Sequence, residues 1–208
     1  MSTIAILDYG VGNLRSVEKA LERVGASARI SADPAVARAA DGVILPGVGA
    51  FPKAMERIRA LGLDELVRER AAAGVPVLGI CLGLQLLFSS SRELGGAEGL
   101  GLVTGTVERL RAEGLKVPHI GWSPVRWRKP SRLREGLEDG EPFYFVHSYA
   151  PRPRDEDDVL ATANYGEEFV CAAERGNVYG VQFHPEKSGA AGLRVLANFA
   201  AICSSVPA

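Results

Sequence analysis

The sequence predicts an α/β fold: an open mixed sheet, mostly parallel, with flanking helices and with antiparallel strands added in the second half. Two observations support this prediction. Short apolar runs alternate with helical patterns over the first half of the chain, the order that builds a parallel sheet with helices on both faces. After Gly95, strand-like runs follow one another with little helix between them. In such sheets ligands bind beyond the carboxyl ends of the strands, so we expect the functional residues at that edge.

The first half divides into strands and helices at recognisable boundaries. We expect Asn13 to cap a first helix, which Gly25 ends. Asp33 followed by Pro34 should open a second, short helix that extends to residue 40. The remaining patterns predict strands at residues 3–7, 28–31, 42–45 and 75–80, one or two helices over residues 50–73, and a helix from Cys81 to about residue 90.

The second half is dominated by strand patterns. We expect these strands to add to the first sheet or to lie beside it, antiparallel to their neighbours. The charged run at residues 151–158 and the segment 128–142 are interpreted as solvated connections. Apolar residues at helical spacing predict a closing helix at residues 189–204. The predicted strands are residues 103–110, 116–128, 142–149, 159–163, 169–174 and 178–183.

Composition narrows the class of protein. A chain of 208 residues is most simply one domain, here residues 1–208. The formal net charge of −1 gives no electrostatic footprint for nucleic acid, and no apolar run is long enough to cross a membrane. Cys81, Cys171 and Cys203 are odd in number and form no Cys-x-x-Cys pair. This usage favours a reducing, cytoplasmic setting over a disulfide framework.

The strongest chemical signal is Cys81, which follows an apolar strand and stands between two glycines, Gly79 and Gly83. Such a strand-turn-helix setting holds a nucleophile out of the edge of a sheet. A second strand ends in His184-Pro-Glu186, and in an extended chain the side chains of residues two apart point the same way. Glu186 can therefore accept from one ring nitrogen of His184 while the other faces Cys81, giving nucleophile, base and orienting group.

The other two histidines have a more ordinary interpretation. His147 alternates with aromatic residues and is interpreted as a hydrogen-bonded structural residue. His119 is either structural or part of an interface. The three histidines of the chain are dispersed without ligand spacing, so we expect no metal site.

Two glycine-rich segments admit more than one interpretation. Gly10-Val-Gly12 follows the first strand, as in a dinucleotide-binding turn, but Arg15 stands where the third glycine belongs. A nicotinamide-dependent oxidoreductase is therefore a disfavoured alternative. The segment 46–49, Pro-Gly-Val-Gly, is either a tight turn or a mobile pair of peptide groups whose N–H can swing toward an anion. Acyl-transfer chemistry needs two such donors, and Leu82 would supply the other.

These motifs resemble those of the class I (triad) glutamine amidotransferases, whose fold is flavodoxin-like. The match rests on Gly79-Ile-Cys-Leu-Gly-Leu-Gln85 together with His184-Pro-Glu186. Further segments narrow the resemblance to the glutaminase subunits of imidazole glycerol phosphate synthases, enzymes of histidine biosynthesis. These segments are Asp8-Tyr-Gly-Val-Gly-Asn-Leu-Arg-Ser16, Pro46-Gly-Val-Gly-Ala-Phe51, Lys116-Val-Pro-His-Ile-Gly-Trp122, Tyr144-Phe-Val-His-Ser-Tyr149 and Gly180-Val-Gln-Phe-His-Pro-Glu-Lys-Ser188.

The resemblance implies a chemistry for each group at the site. Cys81 would attack the side-chain amide of glutamine, form a thioester and release ammonia, while His184 moves the protons and Glu186 orients it. The backbone N–H groups of Val48 and Leu82 would form the oxyanion hole. No cofactor is implied. The residues expected to hold the amino-acid end of glutamine are Gly49, Gln85, Ser148 and Tyr149.

The resemblance also implies a partner, a cyclase subunit with a (βα)8 barrel that forms a heterodimer with the glutaminase. Ammonia would pass through that barrel, and the products would be imidazole glycerol phosphate and an aminoimidazole carboxamide ribotide. A sealed route is useful because ammonia released into water is protonated and lost as a nucleophile. We expect weak glutaminase activity from the isolated chain, rising with the cyclase and its ligand. The residues expected to face the partner are Asn13, Trp122, Tyr144 and Lys187.

Two further alternatives remain open at this point. One is a glutaminase subunit of another synthase, such as one that feeds pyridoxal phosphate or anthranilate synthesis. The segments at residues 116–122 and 144–149 argue against it, and the synthase barrel that co-purifies would decide. The other is a regulatory protein without catalysis, which the intact Cys81, His184 and Glu186 oppose.

Overall fold

The computed structural model describes residues 2–205; Met1 and residues 206–208, which belong to the predicted domain 1–208, lie outside the described residues. The helices are α1 (Leu14–Arg23), α2 (Pro34–Arg38), α3 (Phe51–Ala60), α4 (Leu63–Ala72), α5 (Leu82–Leu86) and α6 (Gly189–Cys203). The strands are β1 (Thr3–Leu7), β2 (Ser27–Ser31), β3 (Gly42–Gly47), β4 (Val77–Cys81), β5 (Phe88–Ser91), β6 (Ala97–Glu98), β7 (Val103–Arg109), β8 (His119–Pro124), β9 (Arg126–Trp127), β10 (Pro142–His147), β11 (Tyr149–Pro153), β12 (Val159–Asn164), β13 (Glu168–Arg175) and β14 (Val178–Val181).

The central sheet has the strand order β2-β1-β3-β4-β14-β13-β12-β9. The five strands from β2 to β14 run parallel to one another, and β13, β12 and β9 continue the sheet in alternating antiparallel directions. Because Val181 of β14 lies beside Ile80 of β4, these two strands end at the same edge. The predicted mixed, mostly parallel sheet with antiparallel additions is confirmed.

Two smaller sheets lie beside the central one. In the first, β8 and β10 pair antiparallel, with Trp122 opposite Tyr144 and His119 opposite His147. The second has the order β11-β7-β5-β6. The chain passes directly from β10 to β11 through Ser148, so this short connection links the two small sheets.

The strands of the central sheet bury alternate residues on its two faces. On one face Ile4, Ile6 and Ile80 pack with α1 and α6. On the other face Ala5, Leu7 and Val77 pack with α3, α4 and α5. Strands that are buried on both faces have nearly continuous apolar sequences, and this pattern is what predicted them. No helix within residues 2–205 combines the length and apolar character that a bilayer crossing requires.

Two expectations about the first half need correction. The helix after Cys81 ends at Leu86 instead of about residue 90, because the chain turns at Leu87 and Phe88–Ser91 pairs with β7 and β6. Asn13 does occupy the position before α1, but its side chain makes no capping hydrogen bond. Asp33, by contrast, accepts from the backbone N–H of Ala35 at 2.9 Å, as predicted.

The second half also departs from the predicted elements. The predicted strand 116–128 is two strands, β8 and β9, in different sheets. Part of the predicted loop 151–158 belongs to β11, which pairs antiparallel with β7. The segment 128–142 is anchored by the buried Leu133 and Leu137 and is therefore not a fully solvated connection. In these places long-range pairing and burial override a polar local composition.

Candidate active site

Cys81 lies at a strained turn between β4 and α5. Its φ is 56° and its ψ is −110°, a left-handed backbone that non-glycine residues rarely adopt. Such strain is found where a nucleophile is held at the end of a strand. The residue is 6% exposed, with Val146 O and Gln182 Nε2 each 3.7 Å from its Sγ. The local fold thus places the thiol at the carboxyl edge of the central sheet.

Two glycines let the chain double back tightly at this turn. A Cβ on Gly83 would stand 1.7 Å from the carbonyl oxygen of Leu45 in β3. A Cβ on Gly79 would stand 2.6 Å from backbone atoms of Gly83. A side chain at either position would push α5 away from the sheet. The glycines that flank Cys81 are therefore required by the close approach of backbone to backbone.

His184 and Glu186 form a buried pair opposite the cysteine. The Nδ1 atom of His184 lies 2.9 Å from Glu186 Oε1, and the two side chains are 5% and 1% exposed. The backbone N–H of His184 donates to Tyr144 O, and the Ser188 hydroxyl donates to His184 O at 2.7 Å. The two backbone bonds fix the position of the residue, and because Nδ1 is paired with Glu186, Nε2 is the ring nitrogen available to Cys81. The contact expected between His184 and Glu186 is present, but the extended backbone expected for it is not, because β14 ends at Val181 and Pro185–Lys187 form a short 3-10 helix.

The surroundings of His184 favour its protonated form. Burial alone lowers the pKa of the imidazole, but hydrogen bonds to Cys81 and Glu186, together with their negative charges, outweigh burial and raise the pKa to about 9. An imidazolium beside a thiol stabilises the thiolate, which is the reactive nucleophile. The pair can therefore hold a proton ready for a leaving group.

Around the thiol lies a cavity of about 280 Å³, a size that suits a small, amino-acid-like molecule. Most of the residues singled out from the sequence line it, although they come from distant parts of the chain. They are Val48, Gly49, Cys81, Leu82, Gln85, Ser148, Tyr149, His184 and Lys187. Glu186 stands behind His184 and supports it from outside the cavity lining.

Of the predicted partner-facing residues, Asn13, Trp122 and Tyr144 lie outside the cavity lining, whereas Lys187 belongs to it. Trp122 is 55% exposed, and its ring centroid is 5.8 Å from that of Tyr144 in the paired strand. The Lys187 ammonium lies 5.9 Å from the centre of the Tyr144 ring. These three side chains form one continuous surface patch at the rim of the cavity. Asn13 is half-buried and directly precedes α1.

Gln85 connects the cavity to a buried hydrogen-bond network. Its Nε2 donates to Tyr149 O and to Gln182 Oε1, each at 3.0 Å. Because both amide hydrogens are used, the Oε1 atom of Gln85 is the one left to accept from a ligand. Gln182 was not singled out from the sequence. Its position two residues before His184, at the end of a predicted strand, indicates a side chain on the same side as His184 and could have identified it.

Four further cavity residues were also missed: Glu93, Pro118, Val146 and His147. Glu93 is the carboxylate in the lining, and its Oε2 accepts from the backbone N–H of Phe51 at 2.9 Å. It lies on a short turn, Glu93–Gly95, whose position depends on the pairing of β5 with β7. No local pattern marks such a residue, because its place is set by contacts between distant segments.

The alternative chemistries receive no further observation in their favour. Among residues 2–205, no three His, Cys, Asp or Glu side chains gather as metal ligands. Asp33 stands about 20 residues after the glycine-rich turn, where a dinucleotide-binding fold keeps its ribose-binding acid, but its side chain caps α2 instead. The buried thiols of Cys171 and Cys203 have raised pKa values because of burial, about 12 for Cys203, so they are poor nucleophiles.

A thiol, an imidazole and a carboxylate at the edge of an α/β sheet define a nucleophilic hydrolase or transferase, and comparison with known proteins identifies the class. The sequence model of the family "Glutamine amidotransferase class-I" matches residues 5–203. The chain therefore belongs to the class I glutamine amidotransferase family, as the motifs indicated.

Within this family the similarity becomes more specific. The chain is 56% identical over 199 residues to "Imidazole glycerol phosphate synthase subunit HisH" of Moorella thermoacetica, covering 96% of this chain and 94% of that protein. It is 51% identical over 195 residues to the protein of the same name from Aquifex aeolicus, covering 93% and 94%. The narrower resemblance drawn from the motifs is confirmed.

Solved structures agree on the fold. The crystal structure of a glutamine amidotransferase superposes with a TM-score of 0.74 at 23% identity, covering 95% of this chain and 98% of that one. PurLQS from Thermotoga maritima gives a TM-score of 0.73 at 21% identity, covering 96% and 98%. At such identities the likeness concerns the fold alone.

Proposed function

We propose that this chain is the glutaminase subunit of an imidazole glycerol phosphate synthase, hydrolysing glutamine and delivering ammonia to a cyclase in histidine biosynthesis. The observation that carries the proposal is the arrangement of Cys81, His184 and Glu186 at one cavity, in a chain 56% identical to a HisH subunit. In this proposal residues 1–208 act as one glutamine amidotransferase domain. It works in the cytoplasm, where unpaired thiols persist.

The proposed reaction has two halves. The Cys81 thiolate bonds to the carboxamide carbon of glutamine, and the carbonyl oxygen becomes an oxyanion facing the N–H groups of Val48 and Leu82. The His184 imidazolium gives its proton to the amide nitrogen, the C–N bond breaks and ammonia leaves a thioester. Water then attacks the thioester, giving a proton to His184, and the C–S bond breaks to release glutamate and the thiolate.

The amino-acid end of glutamine carries an ammonium and a carboxylate, so it requires both hydrogen-bond acceptors and hydrogen-bond donors. We propose that Gln85 Oε1 and the Glu93 carboxylate face the substrate ammonium, since both are acceptors in the lining. Gly49, Ser148 and Tyr149 would complete the pocket through backbone and hydroxyl groups. Glu93 extends the set of binding residues beyond those expected from the sequence.

The proposed partner is a cyclase with a (βα)8 barrel, docked over the rim of the cavity as a heterodimer. The exposed Ile120 and Trp122 project from the same strand of that rim, with Tyr144 and Lys187 beside them. Exposed aromatic residues next to a charged group are typical of protein interfaces. Asn13 is assigned to the same interface by its place in the motif.

The test is a glutamate-release assay on the chain alone, with the cyclase, and with the cyclase and its nucleotide ligand. We expect little release from the chain alone, a strong rise in the full complex, and none with Cys81→Ala. Cys203→Ala is the matched control, because its thiol is buried in α6 away from the cavity. Equal release from wild type and Cys81→Ala, or activity unchanged by partner and ligand, would contradict the proposal.

A further inference from the structure

Three buried polar side chains, Ser123, His119 and His147, form a continuous row that reaches the cavity lining at His147. Ser123 Oγ lies 3.0 Å from His119 Nε2, and His119 Nδ1 lies 3.2 Å from His147 Nε2. His147 Nδ1 then lies 2.9 Å from the carbonyl oxygen of Tyr149. All three side chains are buried, with exposures of 7%, 2% and 5%. The row crosses from β8 to the start of β11.

The direction of every hydrogen bond in this row follows from its last acceptor. A carbonyl oxygen only accepts, so His147 Nδ1 carries a hydrogen. A neutral His147 then accepts at Nε2, which requires a hydrogen on His119 Nδ1. His119 in turn accepts at Nε2, so the Ser123 hydroxyl donates. One tautomer of each ring satisfies the whole row, and the chain of donors runs one way toward Tyr149.

Packing and burial hold the rings in this state. The His119 ring stacks on Tyr165 with centroids 4.0 Å apart, and on Phe145 at 5.1 Å. His147 packs against Phe169 at 4.9 Å. Burial lowers the pKa of both histidines, that of His147 to about 3, so both rings are neutral. With the rings fixed and neutral, the proton positions are fixed as well.

The row ends where the glutamine pocket begins. Tyr149 O accepts from His147 and also from Gln85 Nε2. Gln85 Nε2 also donates to Gln182 Oε1, and Gln182 Nε2 lies 3.7 Å from Cys81 Sγ. A carbonyl that is held by one donor presents its second lone pair in a fixed direction. The orientation of the Gln85 amide therefore depends on the position of Tyr149 O.

We propose that Ser123, His119 and His147 are positioning residues, a one-way hydrogen-bond chain that holds the Tyr149 carbonyl and, through it, the Gln85 amide for binding glutamine. The positioning role of this row of side chains rests on the proposed glutaminase activity. The existence of the hydrogen bonds within the row does not rest on that activity, and it can be measured separately.

The first measurement concerns the wild-type chain. With three histidines in the sequence, long-range ¹⁵N–¹H spectra of the ¹⁵N-histidine-labelled protein can be assigned with single substitutions. At neutral pH we expect His119 and His147 each to carry a hydrogen on Nδ1 and none on Nε2. A hydrogen on Nε2 of His147, or two hydrogens on its ring, overturns the proposal, and this readout requires no variant to fold.

The second measurement is glutamine turnover in the complex with the cyclase and its ligand. His147→Leu removes the donor to Tyr149 O, whereas His147→Asn keeps an amide N–H close to the position of Nδ1. We expect His147→Leu to raise the KM for glutamine about 5- to 10-fold with little change in kcat, as the loss of one hydrogen bond implies. His147→Asn should restore most of the affinity.

His119→Phe tests the preceding hydrogen bond of the row, from His119 to His147. It retains the stacked ring but removes both nitrogens, so we expect a smaller increase in KM of the same kind. A fall in kcat with unchanged KM in all three variants overturns the positioning role. Absence of glutamate release from the wild-type complex instead refutes the proposed function, while the tautomer spectra still decide whether the chain exists.

Discussion

The Tyr9 hydroxyl donates a 2.6 Å hydrogen bond to the carbonyl oxygen of Pro46, at the point where β3 leaves the sheet. Tyr9 is 2% exposed, and burial together with the nearby Cys81 raises the pKa of its hydroxyl, so it remains a donor. Gly47 is packed against the same hydroxyl, because a Cβ there would stand 2.2 Å from it. The bond therefore anchors the segment that leads to Val48, the proposed oxyanion donor.

Tyr9→Phe should loosen this anchor without changing the shape of the core. The buried Pro46 carbonyl would lose its donor, which costs about 1–3 kcal/mol of unfolding free energy. We expect kcat for glutamine hydrolysis in the complex to fall, since the 46–49 segment would sample more conformations. Urea unfolding and glutamate release measure the two effects.

Tyr179→Phe is the control for this change. Tyr179 is also a buried tyrosine, but it packs against Phe199 of α6 on the opposite face of the sheet. Its substitution should leave kcat unchanged. Equal kcat values for Tyr9→Phe and the wild type would show that the anchor has no catalytic consequence.

Gly83→Ala should be far more destabilising than an ordinary glycine substitution. Its Cβ would stand 1.7 Å from Leu45 O, and both backbones are fixed by the sheet and by α5. We expect a loss of at least about 3 kcal/mol in unfolding free energy and loss of glutaminase activity. Gly25→Ala is a matched control, since Gly25 has φ +80° but nothing within 4 Å of a Cβ.

The control isolates the effect of close packing from that of backbone conformation. Gly25→Ala should cost only about 1–2 kcal/mol, the strain of a left-handed backbone. Chemical denaturation of both variants gives the comparison. Similar losses for the two substitutions would contradict the close-approach argument.

The sequence was most informative where function depends on neighbouring residues. Cys81 could be predicted from the strand and the glycines around it, and the contact of His184 with Glu186 from their closeness in the chain, although a 3-10 helix at Pro185–Lys187 forms that contact instead of an extended strand. Glu93 could not, since its place in the cavity depends on the pairing of β5 with β7. The same pairing shortens the helix after Cys81. The catalytic and binding roles themselves stay predictions until the variants are assayed.

A second limit is that polar composition hides strands that pair at long range. Residues 151–153 read as part of a charged loop, yet they complete β11 beside β7. Pro151, Arg152 and Pro153 are side chains that suit a strand at the edge of a sheet, and β11 is such an edge strand. The sequence predicted a hydrogen-bonded structural role for His147, and the structure shows its hydrogen bonds, but the sequence did not predict its place in the cavity lining. Of the two alternatives left open for His119, structural or at an interface, its buried hydrogen bonds favour the first, and its partners could be identified only once β8 and β10 were seen to pair.

Trp122→Ala should weaken the proposed complex without weakening the fold. The side chain is 55% exposed, so its removal should change the unfolding free energy by less than about 1 kcal/mol. A buried aromatic anchor at an interface contributes about 2 kcal/mol or more, so we expect affinity for the cyclase to fall at least about 30-fold. Titration calorimetry measures this affinity.

Leu61→Ala provides the matched control for Trp122→Ala. Leu61 is likewise an exposed apolar residue, at 43%, but it follows α3 at a distance from the cavity rim. Its removal should leave the affinity unchanged. If the two variants bind the cyclase equally well, the rim patch is not the docking surface.

Glu186→Gln should impair proton transfer while preserving the shape of the site. The amide oxygen can still accept from His184, but the added N–H would occupy the place of Oε2, which is buried without a partner among residues 2–205. Loss of the negative charge also lowers the pKa of His184. We expect kcat/KM to fall by on the order of 10²- to 10⁴-fold. Glu69→Gln, at an exposed ion pair with Arg38, should have no effect on a pH–rate profile.

Acid should destabilise the protein through His147 well before most carboxylates titrate. In the unfolded chain this histidine binds a proton below about pH 6.5, whereas in the folded protein burial, with the nearby His119 and His184 adding to it, lowers the pKa to about 3. The unfolded state therefore binds more protons between these values. The stability is fully present above pH 6.5 and is lost as the pH falls toward 3.

The size of this effect follows from linkage. Each such histidine reduces the unfolding free energy by about 1.4 kcal/mol per pH unit within the window. We expect urea unfolding of the wild type between pH 6.5 and 5 to show a steeper slope than His147→Leu, by about that amount, because the variant has lost one of the groups that titrate. Parallel slopes would mean that His147 is protonated in the folded protein, which is incompatible with its donating only through Nδ1.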